Sequence, residues 1–136
     1  MAKAKMPKKN YKYSMSVGES FSNGRGTGSV YADTLDKGRK EIYKLCREVK
    51  WHNGNHSDPI GYVYVYGMST YGSGEKHWMI KDDIAYLTYD KKTGILWWKP
   101  LGKDSYSKDS RMVKADGKLG LTRTAYYNRR NKMLGL

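Results

Sequence analysis

Hydrophobic and polar positions alternate most strictly in GYVYVYGM, where Tyr62, Tyr64 and Tyr66 fall on one face and Val63 and Val65 on the other. That period of two predicts a half-buried strand rich in residues that favour pleated backbone. Tyr11 to Val17 alternates in the same way, with Tyr11, Tyr13, Met15 and Val17 opposite Lys12, Ser14 and Ser16. A short strand at Ser29 to Ala32 is expected to pair back on it across the glycine-rich GESFSNGRGTGS. Between these strands the period changes. Leu35, Ile42, Leu45, Cys46 and Val49 share a stripe at helical spacing, and Lys37, Lys40, Lys44 and Arg47 lie opposite. With Asp33 or Thr34 placed to cap it, this spacing predicts a helix from about 35 to 49, slightly weakened by Gly38 and ending near Trp51 where WHNGNHSDP turns.

After the second tyrosine-rich strand, short strands are expected at His77–Ile80 and Ile84–Asp90. The segments IAYLTYD and ILWWKPL read as a hairpin around KKTG, and MVKADGKLGL as a weaker one turning at Asp116-Gly117. The expected architecture is α+β: a small antiparallel sheet of four to six strands packed on one main helix, with basic N- and C-terminal tails. Its divisions are a flexible basic arm over residues 1–10, a single domain over 11–122 and a basic aromatic tail over 123–136. The tail, TRTAYYNRRNKMLGL, reads either as a short helix or as a segment that orders on binding. One helix stripe covers one face of the sheet and leaves the other to be explained.

Composition sharpens this picture. The 136 residues carry 26 Lys plus Arg against 13 Asp plus Glu, for a net charge of +13. Partitioned, Lys3, Lys5, Lys8, Lys9 and Lys12 make the first twelve residues acid-free, as Lys118, Arg123, Arg129, Arg130 and Lys132 do for the last nineteen. The stretch between is nearly balanced. Thirteen tyrosines and four tryptophans offset a low hydrophobic share of 38%, because each ring buries a large area while keeping a polar edge wet. No apolar run approaches the ~20 residues needed to span a bilayer, and no apolar stretch follows the basic N-terminus, so neither a membrane anchor nor a secretory signal is expected. A single cysteine, Cys46, makes no internal disulfide and fits a reducing, cytoplasmic setting.

Cations at both ends and aromatic rings on a sheet face point to nucleic acid: the cations give salt-sensitive attraction to phosphates and the rings stack on unpaired bases. The candidate contacts are Lys8, Lys9 and Lys12 in the N-terminal arm, Tyr62, Tyr64 and Tyr66 on the open face, and Arg123, Tyr126, Tyr127, Arg129, Arg130 and Lys132 in the tail. Tyr86 or Tyr89, and one of Trp97 and Trp98, are expected to extend the face. The aromatic motif of the common RNA-recognition fold is absent, so no named module is implied. The expected function is non-enzymatic nucleic-acid binding, of DNA or RNA, without cofactor or metal. The alternative is a protein–protein module, such as a small phage-type accessory, virion or host-defence-inhibitor protein, whose Tyr/Trp face meets an acidic or nucleoprotein partner or a second copy of the chain.

Two further constellations are weaker. Cys46, His52, His56 and Asp58 could supply metal ligands, or a His-Asn-His nuclease centre, but their spacing matches no standard zinc pattern and the polar residues suit a turn. GRGTGS, around Arg25, could wrap a phosphate with backbone N–H groups, but it lacks the GK[ST] ending of a P-loop. His77 stands alone and reads as structural, and the helix's Lys37–Arg47 stripe reads as a solvated face.

Overall fold

In the computed structural model, residues 11–19, 28–49, 51, 58–70, 72–102 and 109–135 are described. Among the described residues, seven strands run in the order β1 (Tyr13–Val17), β2 (Gly28–Ala32), β3 (Ile60–Thr70), β4 (Lys76–Asp90), β5 (Ile95–Pro100), β6 (Arg111–Val113) and β7 (Leu119–Thr122). Helix α1 (Leu35–Glu48) follows β2, and α2 (Arg123–Met133) follows β7. The strands form one antiparallel sheet in the spatial order β2-β1-β3-β4-β5-β6-β7. No helix among the described residues is long and apolar enough to cross a membrane.

This corrects the expected small sheet of four to six strands on one main helix. Strand outweighs helix about two to one, the sheet curls into a half-barrel, and a second helix is present. Two features of the sequence conceal this. Lys81-Asp82-Asp83 breaks the alternation and splits β4 on paper into two short pieces. In the structure the strand runs through, because register shifts at Val63/Tyr64 and Val65/Tyr66 let Ile84 and Lys81 bulge out of the ladder. The second is the basic aromatic segment read either as a short helix or as ordering on binding, which over 123–133 is a helix packed on the sheet.

The curl follows from what α1 touches. The helix packs on β1 and β2 and also reaches β6, near the far edge of the sheet. The inner face therefore wraps around it. Thr34 caps α1, its hydroxyl oxygen accepting the Lys37 N–H at 3.3 Å. Ile42 and Cys46 enter a core made with Met15, Val17, Val63, Ala85, Leu87, Leu96, Trp98 and Val113, while Lys37, Lys40, Lys44 and Arg47 remain exposed as expected.

One polar side chain ties α1 to the opposite edge. Arg39 is buried. Its Nε donates to the Gly117 carbonyl at 2.6 Å, its guanidinium pairs with Asp36, and its Cζ sits 4.8 Å from the Trp98 ring. Gly117 can come this close because φ is +88° at the β6–β7 turn and a side chain there would meet the Asp36 carbonyl. Replacing Arg39 with Met keeps the aliphatic bulk but leaves the Gly117 carbonyl unpaired at a buried position. The expected loss is about 2–3 kcal/mol of unfolding free energy in a denaturant titration. Arg39→Lys should recover only part of it, since an ammonium lacks the planar fork.

Candidate nucleic-acid interface

Cross-strand partners share a face, so the register assigns each side chain. Val63 pairs with Met15 and Ala85, all in the core. Tyr62, Tyr64 and Tyr66 therefore point to the outer face, away from α1. Tyr62 faces Tyr86 across β3 and β4, and Tyr86 faces Lys99 across β4 and β5, so one row runs Tyr62–Tyr86–Lys99. A second row brings Tyr31 and Ser14 alongside Tyr64. The rings of Tyr62 and Tyr64 stack with centroids 6.2 Å apart, and Tyr86 meets Tyr62 edge-on at 5.2 Å. Tyr62 is exposed, while Tyr64, Tyr66 and Tyr86 are half-buried. Ser14 Oγ donates to the Tyr66 hydroxyl at 3.2 Å, which fixes that ring's outer edge. Partial burial and the neighbouring Tyr62 raise the pKa of Tyr86 above its ordinary value, against a lowering hydrogen bond from Thr88.

The expected tryptophan extension of this face needs correction. Trp98 points inward with the core. Trp97 points outward, but it is buried because α2 lies across it. Tyr126 meets the Trp97 ring edge-on at 5.7 Å and Tyr127 stacks on it at 6.4 Å. Arg123 completes the contact, its Cζ 5.5 Å from the Trp97 ring. The two tail tyrosines are thus occupied in holding a helix on the sheet. Tyr89, the other expected extension, lies in the core, where burial and, secondarily, Cys46 raise its pKa.

Helix α2 starts firmly. Thr122 caps it through the Ala125 N–H, and Asp109 Oδ2 accepts the Thr124 N–H at 2.9 Å. Hydrogen bonds from the Thr124 side chain and backbone hold the Asp109 carboxyl below its usual range. Arg129, Arg130 and Lys132 project into solvent, and the helix carries no acid. Its anchor, Trp97, is the cross-strand neighbour of Thr88, two residues along β4 from Tyr86. The anchor of the acid-free helix is therefore close to Tyr86, while Arg129 and Arg130 line a groove with Met112 and Leu121 of β6 and β7.

Other expected groups fall elsewhere. Lys12 is exposed, its ammonium 5.5 Å from the Tyr13 ring, and its carbonyl accepts the Tyr66 N–H. Lys8, Lys9, GRGTGS up to Thr27, His52 and His56 lie outside the described residues. Cys46, the first of the possible metal ligands, is buried in the core and its thiol is pushed up to about 12 by desolvation, so it is a protonated thiol at neutral pH. The Asp58 carboxylate accepts the Lys91 N–H. Exposed His77 pairs with Glu75 at 3.2 Å. The sequence reading missed Tyr31 and Lys99 as neighbours of the tyrosine face. Their alternation with Val30 and Trp98 was the available signal. Comparison of the chain with family models, curated proteins and solved structures found no match.

Proposed function

We infer that the protein is a non-enzymatic nucleic-acid-binding protein that takes an unpaired strand on its outer face. Bases stack on Tyr62, Tyr64 and Tyr86, and phosphates are neutralised by the cations of α2 and by Lys99. The observation that carries this reading is an outward-facing tyrosine row with Tyr62 exposed, on the same sheet face as the Trp97 anchor of a helix with four cations and no acid. Stacking on tyrosine tolerates sequence because every base offers a π-face, and fixed cations alongside supply attraction without base readout.

The test is fluorescence anisotropy with labelled mixed-sequence oligonucleotides, single- and double-stranded, across rising salt. Log affinity should fall linearly with log salt, with a slope of about −0.7 for each phosphate neutralised on a single strand. Tyr62→Ala should weaken single-strand binding about 5- to 100-fold with an unchanged slope. Arg129→Ala with Arg130→Ala should reduce the slope by about 1.4. Absence of binding at low salt, or binding indifferent to salt, overturns the reading.

A second reading, a protein partner on the same face, is favoured by a different observation. Ile60, Met68 and Ile80 continue the tyrosine stripe as exposed aliphatic surface, which stacking on bases does not require.

A further inference from the structure

The outer face carries an acid where attraction to phosphate alone would place none. Its cations stand at the margins, Lys99 beyond Tyr86 and Lys12 beside Tyr66. Between them, Asp83 is the cross-strand partner of Tyr64 and is exposed. Asp90 shares the outer face, but its Oδ1 accepts the N–H groups of Lys92 and Thr93 at 2.9 and 3.3 Å, which commits it to the β4–β5 turn. The Asp83 carboxylate makes no hydrogen bond and no ion pair among the described residues.

A bulge puts Asp83 there. Val63 is opposite Ala85, so an unbroken ladder would set Ile84 opposite Tyr64. The register shift between Val63 and Tyr64 passes over Ile84 and sets Asp83 in that place instead. The second shift, between Val65 and Tyr66, passes over Lys81 and brings apolar Ile80 opposite Tyr66. Bulges re-aim side chains beside binding sites, and here the outcome is one carboxylate within an aromatic row. Tyr62 stacks on Tyr64 along β3. On the β1 side of Tyr64, the Ser14 hydroxyl is already engaged with Tyr66. The open polar group beside Tyr64 therefore comes from β4. Cross-strand partners have Cβ atoms about 5 Å apart, so the carboxylate lies alongside the edge of a flat ligand stacked on the Tyr64 ring.

We propose that Asp83 makes this face selective for guanine: a guanine stacked on Tyr64 donates its N1–H and one N2–H to the two carboxylate oxygens. The assignment rests on the nucleic-acid reading above and adds to it the identity of one base. A carboxylate offers two acceptor oxygens, and guanine alone among the common bases presents two adjacent donors on its Watson–Crick edge. Cytosine and adenine each offer one amino group beside a ring nitrogen that accepts. Uracil and thymine offer one N–H between two carbonyls, which the carboxylate repels. Unpaired strands are read on this edge because no pairing partner covers it, and bonds to a charged acceptor are about twice as strong as neutral ones. The acid keeps phosphates away from the centre of the face and leaves them to the cations at its margins.

The experiment is fluorescence anisotropy on full-length protein, freed of nucleic acid by nuclease and a high-salt wash. The probes are labelled single strands of uniform uracil or thymine that differ only in one central base, which sets the register. Guanine there should tighten binding about 10-fold over the uniform strand. Inosine, which lacks the 2-amino group, should recover only part of that gain, and adenine and cytosine should fall below guanine. Asp83→Asn should abolish the guanine preference, because an amide presents one acceptor in place of two. The same variant should bind the uniform strand at least as tightly as the native chain, with no flattening of the salt slope, since no cation is lost. A native protein that binds central-guanine and uniform strands alike, or a guanine preference that survives Asp83→Asn, overturns the proposal and leaves nucleic-acid binding standing. Absence of binding to every strand overturns both.

Discussion

Replacing Gly61 with alanine is expected to cost about 3–5 kcal/mol of folding free energy, a large part of what a domain of this size possesses. A Cβ at Gly61 would stand 1.6 Å from the Ser16 carbonyl oxygen, 2.5 Å from its carbon and 3.0 Å from the Val17 Cα. These are backbone atoms of the neighbouring strand, so no rotamer change relieves the clash. β1 must move away from β3. That movement strains the reciprocal hydrogen bonds between Gly18 and Ile60, at 2.9 and 3.0 Å, and opens the contact that buries Met15 and Val17 against Val63. The measurement is the unfolding free energy from a denaturant titration, with Gly72→Ala as control. Nothing lies within 4 Å of a Cβ at Gly72, so that change should stay within about 0.5 kcal/mol of the native chain. If Gly61→Ala unfolds at the same denaturant concentration as the native chain, β1 does not pack against β3 as described.

Gly61 also shows what a sequence carries and what it withholds. The alternation of Tyr62, Val63 and Tyr64 made the strand legible and correctly assigned the valine to the core and the tyrosines to the open face, because a period of two is a local property. Why a glycine must precede it depends on Ser16, forty-five positions earlier in the chain, and no local pattern records that. The same distinction explains the other differences. α1 was readable nearly to the residue, since its stripe and its Thr34 cap are local. β4 was read as two fragments, because its bulges at Lys81 and Ile84 are defined by the partner strand. Adjacent Trp97 and Trp98 must point to opposite faces in any strand. Which of them stays open to a ligand depended on α2, and α2 has no fully buried residue to mark a stripe. It is held by rings, Tyr126 and Tyr127 on Trp97, and those same rings in sequence resembled a binding tail.

Trp97→Ala is therefore expected to separate the helix from the sheet. Removing a buried indole costs about 3–5 kcal/mol where the surroundings cannot collapse into the space, and here the loss concentrates on one element. Without the ring, Tyr126, Tyr127 and Arg123 lose the surface they share. An isolated helix of eleven residues is marginal in water, so α2 should fray even where the seven strands remain. Trp97→Phe separates packing from polarity. The Trp97 Nε1 is buried with no hydrogen-bond partner, so phenylalanine forfeits no hydrogen bond and retains a ring for both tyrosines; its cost should be about 1 kcal/mol. Limited trypsin digestion reads the difference directly, because Arg129 and Arg130 lie on the helix that is released. Cleavage there should accelerate strongly in Trp97→Ala and little in Trp97→Phe. The tyrosine row should survive, since Tyr62 and Tyr86 rest on β3 and β4 and not on α2. On the proposed nucleic-acid reading, oligonucleotide affinity in Trp97→Ala should fall with a shallower salt slope, as the helix's fixed cations become a loose chain. If Arg129–Arg130 stays as resistant to trypsin in Trp97→Ala as in the native protein, contacts other than this indole hold the helix on the sheet.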